Sequence, residues 1–134
     1  MNKVTLIARV LLGLNFLVVG LNGLLHFMPE PQESGVAAHF LDAMNASHYM
    51  DVIWVVEIAS GALLVINRFV PAALAILAAV LFNIAIFHIF MARVDYAASV
   101  IAIVLWAIAI IPERGAFRPL LTATPKVPKI EMTS

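Results

Sequence analysis

The sequence predicts an all-α integral membrane protein: a four-helix bundle with both termini cytoplasmic and a short helix on the outer interface between its first two spans. Three observations lead there. Of the 134 residues 63% are hydrophobic and 12% charged, with a mean hydropathy of +1.03, whereas roughly a quarter of a soluble domain is charged. Apolar runs of near-spanning length recur four times, and four spans of roughly 20 residues each take up about 80 residues, leaving one outer loop, two tight turns and a tail. Lys and Arg gather on one side of those runs.

The first span is read over 4–27. Val4 to Phe27 carries only Arg9, Asn15, Asn22 and His26 as strongly polar positions, and Pro29 and Pro31 stop it. The run is long and no small-x-small pattern precedes Pro29, so it reads as a span, with a cleaved leader as the minor alternative. In the connection from Met28 to Met50, Val36, Ala37, Phe40, Leu41 and Met44 share one side of a helical wheel opposite Asp42 and Asn45. That stripe predicts an interfacial helix over 35–46; a loop with a chance stripe is the alternative. The second span, 48–67, is apolar from Val52 to Ile66 apart from Glu57 and Ser60, and reaches spanning length only if it begins near His48. The third, 69–91, lies among 24 residues between Arg68 and Arg93 without one Asp, Glu, Lys or Arg, with Pro71 where a first helical turn tolerates it. The fourth, 95–111, is expected to end at Pro112, so that residues 1–113 form one membrane domain. Residues 114–134, with Pro119, Pro125 and Pro128, read as a cytoplasmic tail. Lys3, Arg9, Arg68, Arg114, Arg118, Lys126 and Lys129 fall on one side and Arg93 alone on the other, which puts both termini in the cytoplasm of a cell with this protein in its inner membrane.

Eight Lys and Arg balance eight Asp and Glu, so no basic surplus favours nucleic acid. With zero cysteines the chain cannot itself run dithiol exchange or hold an iron–sulfur cluster by thiolates, and any redox role needs a bound cofactor or a partner. A phosphate loop, an HExxH pair, a Cys metal cluster and a Ser nucleophile motif are all missing from the sequence.

Polar groups inside a span need a reason to be there. Glu57 is the main one: it lies about nine residues, roughly 13 Å, from the outer start of its span, too deep to snorkel, so its carboxyl must carry a proton or be paired. Proton-coupled chemistry and a structural interhelix hydrogen bond fit it equally well. Asn22, His26, Asn83 and His88 share its outer half of the membrane. Asn15, Asn22 and His26 fall within about 40° on a wheel, which predicts an inward polar face on the first span. Asn83 and His88 lie about 140° apart and face different neighbours. Two histidines at similar depth could serve as axial haem ligands, although haem is the weaker reading. The stretches Asn22 to Met28 and Asn83 to Met91 share a faint likeness that hints at duplication. Gly13, Gly20, Gly23, Ser60 and Gly61 offer the small surfaces that let helices approach. Arg9 and Arg68 read as anchors at the cytoplasmic interface, with Arg9 too far toward that side to pair Glu57. His48 and Asp51 sit at the outer mouth.

The stretch from Arg9 to Gly20 (RVLLGLNFLVVG), the second-span Glu57-Ile-Ala-Ser-Gly61 followed by Leu63 to Phe69, and the third-span Asn83 with Phe87-His88 together resemble the DoxX family of small four-span membrane proteins. The resemblance covers roughly residues 5 to 120 and combines several weak motifs. It implies a four-helix membrane bundle in a family named after small membrane subunits of a thiosulfate:quinone oxidoreductase, with other relatives linked to membrane redox complexes and most members without an assigned reaction, and with Arg9, Glu57 and His88 at the recurrent polar positions. Two residues depart from the pattern: Gly23 stands where many relatives have Lys, and Asn67 where a Gly commonly precedes the Arg. The missing Lys leaves His26 or His88 as the expected partner of Glu57.

Three functions follow as expectations. One is an accessory subunit of a membrane oxidoreductase, with an apolar, quinone-like ligand held in the outer half by the polar set Glu57, His88, Asn83, Asn22 and His26. The second is a non-catalytic scaffold in which the same groups lock helices together, and the third, weaker, is a small-solute or proton pathway. A homodimer is compatible with each.

Overall fold

The structure, a computed structural model, describes residues 2–93, 96–124 and 130. Every regular element among them is helical: α1 (Lys3–Leu25), α2 (Gly35–Ala46), α3 (Tyr49–Val65), α4 (Val70–Phe90), α5 (Ala97–Ala109) and α6 (Arg114–Phe117), with 3-10 turns at Ile111–Glu113 and Arg118–Leu121. Residue 95, where the fourth span was expected to begin, lies outside the described residues, as do Pro125, Lys126, Pro128 and Lys129 of the tail.

α1 begins at a side-chain cap: the Asn2 carboxamide oxygen accepts from the Thr5 backbone N–H at 2.9 Å, filling one of the donors a helix start leaves open. It ends at Leu25, two residues before the expected stop. His26 turns left-handed (φ 53°) and donates its N–H to the Asn22 carbonyl at 2.7 Å, while the Asn22 side-chain oxygen accepts the Met28 N–H at 2.7 Å. Asn22 thus closes the helix from within its last turn.

α2 meets α3 at an angle of 83° across His48, another left-handed residue (φ 62°). Of the expected apolar stripe, Ala37 is buried and Phe40 stacks at 5.9 Å on Phe87 of α4, while Val36 points away. α3 has 17 residues, about 26 Å of helix, a few ångströms less than a hydrocarbon core. The turn into α4 uses left-handed Asn67 (φ 59°) and Phe69 (φ 51°), and Pro71 occupies the first turn of α4. Along α4 the buried residues Val70, Ala73, Leu74, Leu77 and Leu81 form one helical stripe.

Helical structure does not stop at Pro112. The chain continues through the two 3-10 turns and α6 to Leu121, and Phe117 packs against the core. Proline sits here in the first turn of a 3-10 segment, where its missing N–H is not needed. The segment assigned to the tail therefore begins as an extension of the fourth helical run.

The long helices touch in the cyclic order α1, α3, α4, α5, with the α1–α3 contact the most extensive. Leu12, Phe16, Leu64, Leu74, Leu77, Leu81 and Ala102 fill the centre. Trp106 of α5 ties the ring on the far side by donating its indole N–H to the Leu74 carbonyl at 2.8 Å. Among the described residues three runs are long and apolar enough to cross a membrane, Lys3–Leu25, Val70–Phe90 and Ala97–Leu121, and α3 becomes a fourth when counted with α2 as one bent span. Leu11 and Val18 of α1, Val52 and Val55 of α3, Ile76 and Phe82 of α4 and Ile101 and Val104 of α5 project outward. This apolar belt suits contact with a lipid bilayer.

Candidate functional site

Glu57 stands on the inner face of α3 with Ser60, Gly61 and Leu64. α1 comes unusually close to this face. A Cβ on Gly13 would lie 2.8 Å from the Gly61 carbonyl, and one on Gly61 would lie 2.6 Å from the Gly13 carbonyl and 2.8 Å from the Leu17 nitrogen. Backbone therefore meets backbone, and only hydrogen fits at both positions. Farther along, a Cβ on Gly20 would meet Ile58 and the Trp54 carbonyl, and one on Gly23 would overlap the Trp54 indole. Glu57 is 2% exposed, and its Oε2 has no hydrogen-bond partner among the described residues.

The structure does not bring the other polar residues to Glu57. Asn22 is buried but holds the Met28 N–H. His26 is exposed, with Nδ1 3.9 Å from Glu30. Asn83 is exposed and donates to the Ala79 carbonyl in its own helix at 2.8 Å. The inward face expected of Asn15, Asn22 and His26 is not formed, because Asn15 and His26 both lie on the outside. Gly13 and Gly20, about 140–160° around the helix from Asn15, set which side of α1 turns in.

Arg9 is likewise not a snorkelling anchor. It is 4% exposed, and its guanidinium donates to the Asn67 side-chain oxygen at 2.9 Å, clasping α1 to the α3–α4 turn. Arg68, next in the chain, is exposed. At the opposite end His48 and Asp51 form an exposed pair at 2.9 Å.

His88 belongs to a different place. The last turns of α4 and the first of α5 diverge into a surface cleft of about 410 Å³, walled by Ala85, Ile89, Val100 and Ile103 and bordered by His88, Arg93, Tyr96 and Ser99. His88 Nδ1 lies 3.0 Å from the Ala92 carbonyl. A carbonyl only accepts, so Nδ1 carries the hydrogen, and Nε2 is the nitrogen left for another group. The ring is further held edge-on to Phe87 at 5.4 Å. Arg93 donates through Nε to the Ile89 carbonyl at 3.2 Å. Sequence reasoning singled out His88 but missed Tyr96 and Ser99, which only the α4–α5 pairing brings to the same cleft, and Arg93, which follows α4 directly. A second groove, lined by Pro112, Arg114, Gly115, Arg118 and Leu121, lies at the other end of the fold.

Among the described residues no group of three His, Cys, Asp or Glu stands close enough to hold a metal ion. No family model, curated protein or solved structure matches the chain.

Proposed function

We propose that the chain is a DoxX-like four-helix membrane bundle that acts as an accessory subunit of a membrane oxidoreductase, holding an apolar, quinone-like molecule in the cleft between α4 and α5. The observation that carries this reading is the cleft itself: its volume of about 410 Å³ lies in the range of small-molecule sites, and its wall is almost wholly apolar, contributed by Ala85, Ile89, Val100 and Ile103 and by the apolar parts of His88, Arg93, Tyr96 and Ser99. With Nδ1 committed to Ala92, Nε2 of His88 accepts a hydrogen bond from a head-group hydroxyl. Tyr96, Ser99 and Arg93 border the cleft and carry donors of the kind a carbonyl oxygen takes once their side chains turn toward it. A bound quinone would supply the two-electron chemistry, and the chain contributes position and a proton acceptor. Glu57 does not line the cleft, which assigns it to the α1–α3 contact.

The same proposal has both termini on the cytoplasmic side, and the distribution of Lys and Arg supports it. Lys3 and Arg9 share an end with Arg68, because Arg9 is bonded to Asn67. Trp106 near the end of α5 bonds Leu74 near the start of α4, so Arg114 and Arg118 follow to the same end, and Arg93 lies at the other. In this orientation the cleft is in the outer half and α2 lies along the outer interface. The two departures from the family pattern have local reasons: the Trp54 indole occupies the space a side chain at Gly23 would need, and Asn67 is left-handed, a conformation glycine and asparagine tolerate best.

The scaffold reading has one observation in its favour, that Asn22 and Asn83 are hydrogen-bonded within their own segments and require no ligand. Extraction separates the two. The protein is purified in native lipid discs and its quinone content per chain is measured for the wild type, His88→Leu and Glu57→Gln. Near-stoichiometric quinone in the wild type and in Glu57→Gln, lost in His88→Leu, is the expected result. Quinone at the lipid background in all three supports the scaffold, and loss in Glu57→Gln alone moves the site to the α1–α3 side.

A further inference from the structure

We propose that the outward face of α1 is a self-association surface, on which two copies of this chain pack with Asn15 opposite Asn15. The inference needs only that α1 crosses the membrane, not that the α4–α5 cleft holds a ligand. Asn15 is the thirteenth of the 23 residues of α1, which puts it near the middle of the hydrocarbon at helical rise. It is exposed, and among the described residues it has no hydrogen bond. Asn83 makes the contrast: also exposed in a spanning helix, it donates back to Ala79 in its own helix. A carboxamide facing lipid at mid-depth without a partner is costly, and such groups bind helices together.

The surroundings fit a helix–helix contact. Leu11 and Val18 stand one turn on either side of Asn15, and with Val4, Ile7 and Leu14 they form an exposed apolar stripe at spacings of three and four residues. The glycine-bearing side of α1 is already taken by α3 and another side by α5, so this stripe is the face left over.

The chemistry selects a second copy as the occupant. A carboxamide has both donors and an acceptor, so two of them facing each other across a twofold axis satisfy one another. Copies of one chain insert in the same direction, and a twofold along the membrane normal then brings residue 15 of each to the same depth without further adjustment. A different partner would need a polar group at that same depth by coincidence.

The chain has no cysteine, so single introduced cysteines report without background. Leu11→Cys, Leu14→Cys and Val18→Cys, oxidised in native membranes, are expected to form disulfide-linked dimers, and Ile76→Cys on α4 and Ile101→Cys on α5 are not. Subunit counting by single-molecule photobleaching in lipid bilayers should show dimers for the wild type, retained in Asn15→Gln and weakened roughly tenfold in Asn15→Leu. Because Asn15 is exposed, Asn15→Leu should melt as the wild type does. Wild-type protein that stays monomeric at high density, cross-links of equal strength on every face, or an unchanged dimer in Asn15→Leu would overturn the proposal. Resistance of the wild type to alkaline carbonate extraction checks separately that the chain is membrane-integrated.

Discussion

The α1–α3 and α4–α5 contacts are both antiparallel pairings of apolar helices, yet one is closed and the other opens into a cleft. Gly13, Gly20 and Gly23 of α1 and Gly61 of α3 let backbone approach backbone or an indole lie flat on the chain. α4 and α5 contain no glycine. They are joined near the end of α5 by one indole hydrogen bond, and toward Arg93 they diverge around His88. In lipid, where apolar surface gains little from leaving the solvent, small residues decide which helices close up. The difference teaches where to look for function: dense packing leaves no room for a ligand, and the glycine-free pair leaves about 410 Å³.

That contrast can be broken most severely at Gly61. An added Cβ meets backbone atoms of α1 at 2.6 and 2.8 Å, which no rotamer change relieves, so Gly61→Ala should destabilise by about 3 kcal/mol, the upper part of the overpacking range. Thermal unfolding in detergent or discs measures it, and a loss below about 0.5 kcal/mol would show that the close approach is not real. A smaller effect is expected at the tie on the open side: Trp106→Phe removes the bond to the Leu74 carbonyl while keeping an aromatic ring, for about 1 kcal/mol. The smallest stability effect sharpens the comparison from the opposite direction. Ala85 lines the cleft, so Ala85→Leu adds three carbons where space exists and should change stability by less than about 0.5 kcal/mol. The same substitution should lower quinone retention, and normal retention with the cleft filled would remove the cleft from the proposed function.

Much of the helical plan was legible from residues alone. The charge-free stretch after Arg68 is α4, and Pro71 marks its first turn as expected. The stripe from Val36 to Met44 is helical as α2. Legibility ended where a residue's role depends on a distant segment. Pro112 looked like a stop because proline breaks α-helix, but a 3-10 turn accommodates it and helical structure runs on to Leu121. Asn22 looked like a bundle-facing amide and instead closes its own helix. Arg9 looked like an anchor reaching the interface, and it is buried against Asn67, 58 positions away in the chain. Glu57 was legible as buried, since no side chain that short reaches water from its depth, but its separation from His88 was not.

The sequence by itself determined the helical class, the approximate extent of the apolar runs and the presence of polar groups that a bilayer would not tolerate on its own. Those properties are sums over neighbouring residues, and hydropathy and period are local quantities. Only the tertiary structure decided which face of each helix turns inward. Asn15, Asn22 and His26 proposed one face for α1, and Gly13 and Gly20 imposed another. The reason is steric: a polar residue gains a moderate interaction by facing in, whereas two backbones meet only where neither helix carries a side chain, and that requirement is met by a pair of residues from different segments.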